Sequence, residues 1–492
     1  MSLASRVVGS SFIYAVTTVL QKGIAFLLLP LYTRFLTPED YGVLAVVGAI
    51  NTFLLVFFSL SLHGAVSRYY FLYRDRPEML REFLGTVVTV SLLISSGGAA
   101  ALLAAGEHLL APVYGVIPFW PYVAMGVATA AFQPLSIVFL AILQAREEVN
   151  RYAFHSLAQF GMMILLVLLF VVIMQWDAQG PLLAGLSVAV AYSVISLYLL
   201  RNDYRCCVRS EHLRNALSYS LPLIPHSVAS QVAASSDRIL LNALVGTASA
   251  GLYNMGAMCG GVMAFIADGV NRAYVPVSMG ILQAEDRHRM DEIARMGLMI
   301  VAGLSLTASA VSLFAKEAIA VLTTPAFHES HVVVPWIAFS FVLTGIYYLV
   351  VNIFFFNVRL TKIVAAGSVI GAILNVGLNY VLITACGLVG AAIAALLAQL
   401  ATTVIIAVLG RRYDPVAWDY KQMILILTVC LGVVTLVNVT NFSSHVVAVL
   451  GKVGVLFALS LVISHLVWRN PVYLMRYGVT AVREKLGAMK AA

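Results

Sequence analysis

Apolar runs of about twenty residues recur from Val8 to Trp468, and they constrain the fold of this chain more than any other feature. A run of that length crosses the hydrocarbon core of a bilayer as one helix. We count about fourteen such runs, with limits near 8–29, 42–62, 84–105, 118–143, 155–175, 181–200, 217–245, 250–282, 295–315, 331–356, 362–385, 388–410, 421–441 and 445–467. Strands of a membrane barrel would be shorter and strictly alternating. The sequence therefore predicts an all-α polytopic membrane protein with about 14 transmembrane helices.

The distribution of positive charge predicts an orientation. Only 11% of the 492 residues are charged, whereas a soluble domain carries about 25%. If the N-terminus is cytoplasmic, 24 of the 30 Lys and Arg residues fall on the cytoplasmic side, as the positive-inside bias requires. This pattern predicts an inner-membrane protein with both termini cytoplasmic. It also accounts for the net charge of +8 without nucleic acid as a partner.

The chain resembles itself at an offset near 205–209 residues. Three pairs of segments carry the repeat: Thr37–Gly42 with Thr247–Gly251, His63–Tyr70 with Asp268–Tyr274, and Gly180–Gly185 with Gly387–Gly390. Six spans separate the copies, so the halves are parallel repeats, and transporters built this way alternate access around a substrate held between the halves. We therefore predict two six-helix lobes, residues 1–205 and 206–413, followed by two C-terminal helices and a cytoplasmic tail in residues 414–492. Chance similarity between apolar sequences is the alternative.

The first span of each predicted lobe carries a polar stripe on one helical face. The stripes contain Thr18, Gln21 and Lys22 in the first span, and His226, Ser230, Gln231, Asp237 and Arg238 in the seventh. Lipid cannot satisfy such groups, so we expect them to face protein or water, with Thr18, Gln21, Ser230 and Gln231 lining a cavity. Hydrogen bonds between helices are the alternative for the hydroxyl groups.

Charged residues and histidines within the spans are the strongest functional candidates. A charge at the middle of a span costs about 2.5–3.5 kcal/mol on insertion scales, so such residues usually mark a pathway or an ion pair. Asp268 precedes Arg272 by one turn, which suits an ion pair, and their repeat equivalents are His63 and Arg68. Arg68 also fits a topology anchor. His63 and His226 can titrate near neutral pH, although a structural role is the alternative for each.

Motifs of covalent chemistry are missing from the sequence. It contains no Walker A, GxSxG, HExxH or DxDxDG pattern, and its five cysteines have no CxxC spacing. We therefore expect a protein that is not an enzyme and has neither a cofactor nor a metal site.

The stretch Leu29–Gly42 resembles the opening of bacterial polysaccharide biosynthesis proteins, the O-antigen (Wzx-type) flippases. Three further segments are similar to this family: Ser236–Leu240 followed by Gly251–Tyr253, Gln144–Arg146, and Gly387–Ala392. The resemblance covers most of residues 1–413. It implies a member of the multidrug/oligosaccharidyl-lipid/polysaccharide exporter superfamily, with a V-shaped bundle of two lobes around a central cavity.

The same resemblance implies a function and a set of binding residues. Proteins of this family move undecaprenyl-pyrophosphate-linked glycans to the periplasmic leaflet, in association with membrane lipids, and use cationic residues on the first two helices of each lobe. Lys22, Arg68, Arg238 and Arg272 fall on those helices, and Asp237 and Asp268 are the candidates for ion pairing or coupling. A polysaccharide polymerase and a chain-length regulator are the implied partners. The first span lacks the Arg-Asp pair of the lipid II flippase, so its binding geometry does not carry over.

Two other functions remain open at this point. A cation-coupled multidrug antiporter of the same superfamily would have an acidic, aromatic-lined cavity, and the intramembrane Arg and Lys residues argue against it. A membrane-embedded glycan polymerase would carry reactive side chains in a large periplasmic loop, whereas the longest predicted outer gaps are 106–117 and 316–330.

Overall fold

Apolar runs fold into helices because a helix satisfies every backbone hydrogen bond within its own segment. The computed structural model describes residues 28–283, 287–356, 361–411, 416–440 and 445–468, preceded by isolated positions at 13, 16, 17, 20, 23 and 26. Within those residues, all regular secondary structure is helical. This result confirms the predicted fold class.

The chain packs as two compact units. The first unit comprises Met1–Asn254, Leu322–His328 and Asn379–Ala391. Its described helices are α1 Leu29–Phe35, α2 Pro38–Ser59, α3 Leu62–Tyr73, α4 Pro77–Leu109, α5 Ala111–Tyr114, α6 Ala124–Ala145, α7 Val149–Val167, α8 Gln179–Leu200, α9 Ser210–Ser220 and α10 Ile224–Leu244. Helix α11, Thr247–Gly260, leads into the second unit.

The second unit comprises Met255–Val321, Glu329–Leu378 and Ala392–Ala492. Its described helices are α12 Val262–Gln283, α13 Arg287–Leu313, α14 Ala315–Leu322, α15 Val334–Phe356, α16 Thr361–Gly410, α17 Tyr420–Val439 and α18 His445–Trp468. The middle of α16, Asn379–Ala391, belongs to the first unit. That unit also extends past residue 205, since α10 packs against α2. The predicted two-lobe division stays a prediction.

Eleven helices in the described residues are long and apolar enough to cross a membrane. Three features account for the difference from fourteen. The predicted span at 8–29 lies almost wholly outside the described residues. Helix α10 is too polar to be counted, and α16 contains two predicted spans separated by a break at Gly387, where φ is 56°. The positions of the remaining predicted spans match the helices closely.

Helix α2 begins at a sharp boundary that the local sequence specifies. Thr37 and Asp40 form a reciprocal capping box: Asp40 N donates to Thr37 Oγ1 at 3.2 Å, and Thr37 N donates to Asp40 Oδ2 at 2.9 Å. Pro38 occupies the first helical turn, where its missing N–H is not needed. The segment Thr37–Gly42 therefore fixes where the second predicted span begins.

Candidate functional site

An open cavity of about 410 Å³, lined by both polar and apolar side chains, lies within the first unit. Its wall is formed by α2, α3, α6 and α10. The lining residues are Thr52, Leu55, Val56, Ser59, Ser61, His63, Ile137, His226, Ser227, Ser230 and Gln231. A volume of this size lies in the usual range of ligand sites, about 300–1,000 Å³. Two histidines and six neutral polar residues give the wall both hydrogen-bond donors and acceptors.

The cavity is placed by a break between α2 and α3. Leu60 and Ser61 both adopt the left-handed conformation, with φ of 44° and 52°. This conformation costs residues other than glycine about 1–2 kcal/mol each. Ser61 N donates to Ser59 Oγ at 3.3 Å across the turn. As a result, Ser59, Ser61 and His63 all line the cavity instead of following one straight helix.

The opposite wall comes from the polar stripe of α10. His226, Ser227, Ser230 and Gln231 recur at spacings that put them on one helical face, and all four line the cavity. Pro222 and Pro225 occupy the first turns, where proline is tolerated. Of the residues predicted for the site, the structure brings together four at this cavity: His63, His226, Ser230 and Gln231. Thr18, Gln21 and Lys22 lie outside the described residues.

Arg68 lies on α3, five residues beyond His63, and does not line the cavity. Its guanidinium carbon is 5.1 Å from the ring centre of Tyr219 and 5.8 Å from that of Tyr69. Among the described residues, no carboxylate lies within ion-pair distance of Arg68, whose side chain is exposed. Its charge is therefore available to a ligand, while the aromatic contacts hold the side chain in place.

Asp237 and Arg238 form a closed network on α10. Tyr253 Oη donates to Asp237 Oδ2 at 2.5 Å, and Arg238 Nη1 donates to Asp237 Oδ1 at 3.1 Å. Arg238 Nε also donates to Asn254 Oδ1 at 2.9 Å. The predicted ion pairing of Asp237 is therefore present. However, Arg238 is directed into this network and does not reach the cavity, so the structure does not bring it together with His63 and His226.

In the second unit, Asp268 and Arg272 are separate. Tyr348 Oη donates to Asp268 Oδ1 at 2.8 Å, and Asn352 Nδ2 donates to Asn271 Oδ1 at 2.7 Å, one turn further along. No ion pair joins Asp268 to Arg272 in the part of the chain that the structure describes, and Arg272 is exposed. The predicted pair between them is wrong for this conformation, because Asp268 is held by α15 instead of by its own helix.

Sequence reasoning missed several residues of the cavity and one ion pair. Thr52, Ser59 and Ser61 line the cavity. In the sequence, Ser59 and Ser61 are marked only as two serines that interrupt an apolar run. Lys452, which lies in the last predicted span, is buried and donates a hydrogen bond to Glu317. Within the described residues, no cluster of three His, Cys, Asp or Glu side chains has the arrangement of a metal site.

The sequence is similar to a known protein family and to two proteins of Haemophilus influenzae. A family model described as "Polysaccharide biosynthesis protein" matches residues 7–282. The Haemophilus influenzae protein "Lsg locus putative protein 1" is 26% identical over 281 residues, which cover 55% of this chain and 65% of that protein. An "Uncharacterized membrane protein" of the same organism is 25% identical over 293 residues, covering 57% and 68% respectively. The chain thus spans just under two thirds of the first relative.

Two solved structures show the same fold. "Lipid II flippase MurJ, inward closed conformation" matches with a TM-score of 0.72 and 14% identity, covering 94% of this chain and 100% of that chain. A "multidrug resistance MATE family transporter of the MOP superfamily" in its inward-facing conformation matches with a TM-score of 0.59 and 17% identity, covering 78% and 93%. At these identities the likeness shows the architecture alone.

Proposed function

Since the chain belongs to the polysaccharide biosynthesis protein family, we propose that it is a flippase for an undecaprenyl-pyrophosphate-linked oligosaccharide. It carries this lipid from the cytoplasmic to the periplasmic leaflet by alternating access and forms no covalent bond with it. The observation that carries the proposal is the cavity of the first unit, whose wall places neutral polar side chains among helices of a largely apolar bundle. A lipid-linked glycan needs such a chamber because its polar headgroup cannot enter hydrocarbon without hydrogen-bond partners.

The cavity supplies neutral hydrogen-bonding groups, and nearby cations supply charge. Ser230, Gln231 and the two histidines contact the headgroup in this proposal, while Arg68 engages the pyrophosphate at the mouth. A guanidinium suits this task since its planar fork matches two phosphate oxygens. Arg272, which is exposed and unpaired among the described residues, and Lys22 are the further proposed contacts. Arg238 is proposed as a brace, because the network around Asp237 occupies it.

The electric field of a cell assists this direction of transport. An inside-negative potential favours outward movement of anions by about 2.3 kcal/mol per charge for each 100 mV. The pyrophosphate is the anion in question.

We assign ion coupling to Asp268 in preference to Asp237, since Asp268 Oδ2 has no hydrogen bond among the described residues whereas both oxygens of Asp237 accept one. Asp268→Asn keeps the contact with Tyr348, so loss of gradient-driven transport with normal folding supports this assignment. Unchanged gradient dependence removes it.

A multidrug antiporter is the rival function within the same fold. Organic cations are bound by carboxylates and by the rings of Phe, Tyr and Trp, and the residues that line the cavity of the first unit include none of these. The solved structures that share this fold are a flippase and a multidrug transporter, so they add no support for a membrane-embedded polymerase. The proposal also places the chain in the inner membrane with both termini cytoplasmic, next to a polysaccharide polymerase and a chain-length regulator.

Surface glycan measures the proposed function in cells. The Ser230→Ala/Gln231→Leu double variant removes two hydrogen-bonding groups at about 1 kcal/mol each, so we expect about a thirtyfold loss of surface glycan at equal membrane expression. Ser218→Ala is the matched control, because Ser218 is exposed on α9 and lies outside the cavity. Full glycan levels in the double variant contradict the assignment of the cavity. Drug resistance without any glycan phenotype favours the antiporter.

A further inference from the structure

A second cleft lies at the end of the first unit, between the last turns of α3 and the turn joining α6 to α7. Its volume is about 410 Å³, and it shares no residue with the cavity described above. It is lined by Tyr70, Arg74, Ala145, Arg146, Glu147 and Glu148. The segment Gln144–Arg146, which belongs to the family resemblance, has no role in the proposed translocation and lies at this cleft.

Arg146 forms the fixed floor of the cleft. Its Nη2 lies 2.8 Å from Asp203 Oδ1 and its Nη1 lies 3.2 Å from Asp203 Oδ2, which is a two-pronged contact. Burial acts to lower the pKa of Arg146, but hydrogen bonding and electrostatic interaction with Asp203, and to a smaller extent with Tyr70, outweigh it and the pKa is raised. Glu148 is held from both sides, 4.0 Å from Arg146 and 2.7 Å from Arg151. The guanidinium therefore stays charged and ordered.

Two other charged groups at the cleft are unpaired. Neither Glu147 nor Arg74 has a hydrogen-bond or ion-pair partner among the described side chains, and both are exposed. Glu147 also has a φ of 58°, which is unfavourable for a residue with a side chain. Strain of this kind persists where the surrounding structure imposes it, often at binding sites. Glu147 and Arg74 thus give this cleft an unpaired acceptor and an unpaired donor.

The balance of charge selects the chemistry of the ligand. Two arginines and two glutamates line the cleft, so their formal charges cancel. An anion would meet the two carboxylates, and a cation would meet the two guanidinium groups. A hydroxyl group both donates and accepts hydrogen bonds, so it is satisfied between a donor-only Arg and an acceptor-only Glu. Several hydroxyl groups on one compact ligand suit such alternating partners, and the ring of Tyr70 offers an apolar face beside them.

We propose that this cleft binds a neutral sugar. Arg74 and Glu147 make the discriminating hydrogen bonds, and Arg146 and Glu148 form the ordered floor. The proposal extends the proposed function, because the sugars of a lipid-linked glycan would be natural ligands, but its test needs no transport. A free mono- or disaccharide is the other source of the same chemistry.

Equilibrium binding to the full-length protein in lipid nanodiscs tests the proposal. The probes are glucose, galactose, N-acetylglucosamine, lactose and chitobiose, with sodium pyrophosphate and tetramethylammonium as competitors. We expect at least one sugar to bind, with affinity falling about tenfold in Arg74→Ala and in Glu147→Ala. Arg76→Ala and Glu78→Ala are the matched controls, since both residues are exposed near the cleft without lining it, and they should bind normally.

Three results would overturn the proposal: no binding of any sugar, equal affinities in cleft and control variants, or displacement of the sugar by pyrophosphate or tetramethylammonium. A further arm uses undecaprenyl-pyrophosphate oligosaccharide extracted from glycan-producing cells. Tighter binding of that lipid than of free sugars, again weakened by Glu147→Ala, identifies the transported glycan as the source. Equal affinity identifies a free-sugar site. If the protein binds sugar at this cleft but shows no flippase activity, the proposed function is contradicted and the sugar site is not.

Discussion

Gly42 and Gly251 lie against each other where the first turns of α2 and α11 meet. A Cβ atom on Gly42 would lie 1.9 Å from the carbonyl oxygen of Thr247, and one on Gly251 would lie 2.0 Å from that of Pro38. The two glycines occupy matching places in the internal repeat predicted from the sequence. The repeat therefore supplies both sides of this close backbone contact, which no other residue type can make.

Gly42→Ala should consequently destabilise the protein. The added methyl group meets backbone atoms that cannot rotate away, so we expect a loss of about 2 kcal/mol or more in folding stability. Gly48→Ala, on the same helix, is the matched control because nothing lies within 4 Å of its Cβ position. Thermal unfolding in nanodiscs measures both variants. Equal melting temperatures for the two would contradict the contact.

The break between α2 and α3 makes a prediction about Ser61. Ser61→Gly removes the cost of the left-handed conformation and should retain or raise stability by up to about 1 kcal/mol. Ser61→Val introduces a β-branched side chain that adopts this conformation poorly, so we expect lower stability and reduced surface glycan. Ser67→Val, on the regular part of α3, serves as the control. If Ser61→Val behaves like that control, the turn does not position the cavity.

Asp237 should matter for folding more than for transport. Asp237→Ala leaves Arg238 without its carboxylate partner, and removing one member of a buried pair costs about 3–5 kcal/mol, here towards the lower end because Arg238 keeps 23% of its side chain exposed. Asp75→Ala, at an exposed helix end, is the control. Folded yield measured beside surface glycan separates the two roles. Normal folding with abolished transport would show that Asp237 acts in coupling instead.

Lys452 and Glu317 form a partly buried ion pair that joins α18 to α14 in the second unit. Lys452→Met should lower the melting temperature strongly, since Glu317 is left unpaired, whereas Lys452→Met/Glu317→Leu should recover much of the loss. Lys316→Met, which alters an exposed neighbouring lysine, should have little effect. A double variant that is less stable than Lys452→Met would rule out this account of the pair.

The sequence predicted the helices well because length and hydropathy are local properties. Even the break inside α16 fell between the predicted spans 362–385 and 388–410, at a glycine. The break at Leu60 and Ser61 was missed, since neither glycine nor proline marks it. The polar stripe of α10 was recognised from its spacing. Spacing shows which residues share one face of a helix, but it does not show which residues of other helices they contact.

Arg238 is an example of a residue whose contacts spacing did not predict. Asn254 of α11 accepts a hydrogen bond from Arg238, and Tyr253 of the same helix donates one to Asp237. No pattern within α10 indicates these contacts. Asp268 likewise bonds to Tyr348, eighty residues away in the sequence, in preference to the arginine one turn along its own helix. Contacts between distant segments decide which of several polar residues remain available to a ligand, and they depend on packing that a single sequence does not reveal.

Translocation in a reconstituted system tests the central claim most directly. Proteoliposomes would carry undecaprenyl-pyrophosphate oligosaccharide with a fluorescent label on its glycan, and a membrane-impermeant quencher would report the outer leaflet. We predict rapid exchange between leaflets with the wild-type protein and about thirtyfold slower exchange with Ser230→Ala/Gln231→Leu. Exchange no faster than in protein-free liposomes, or equal rates for the two proteins, would contradict the account.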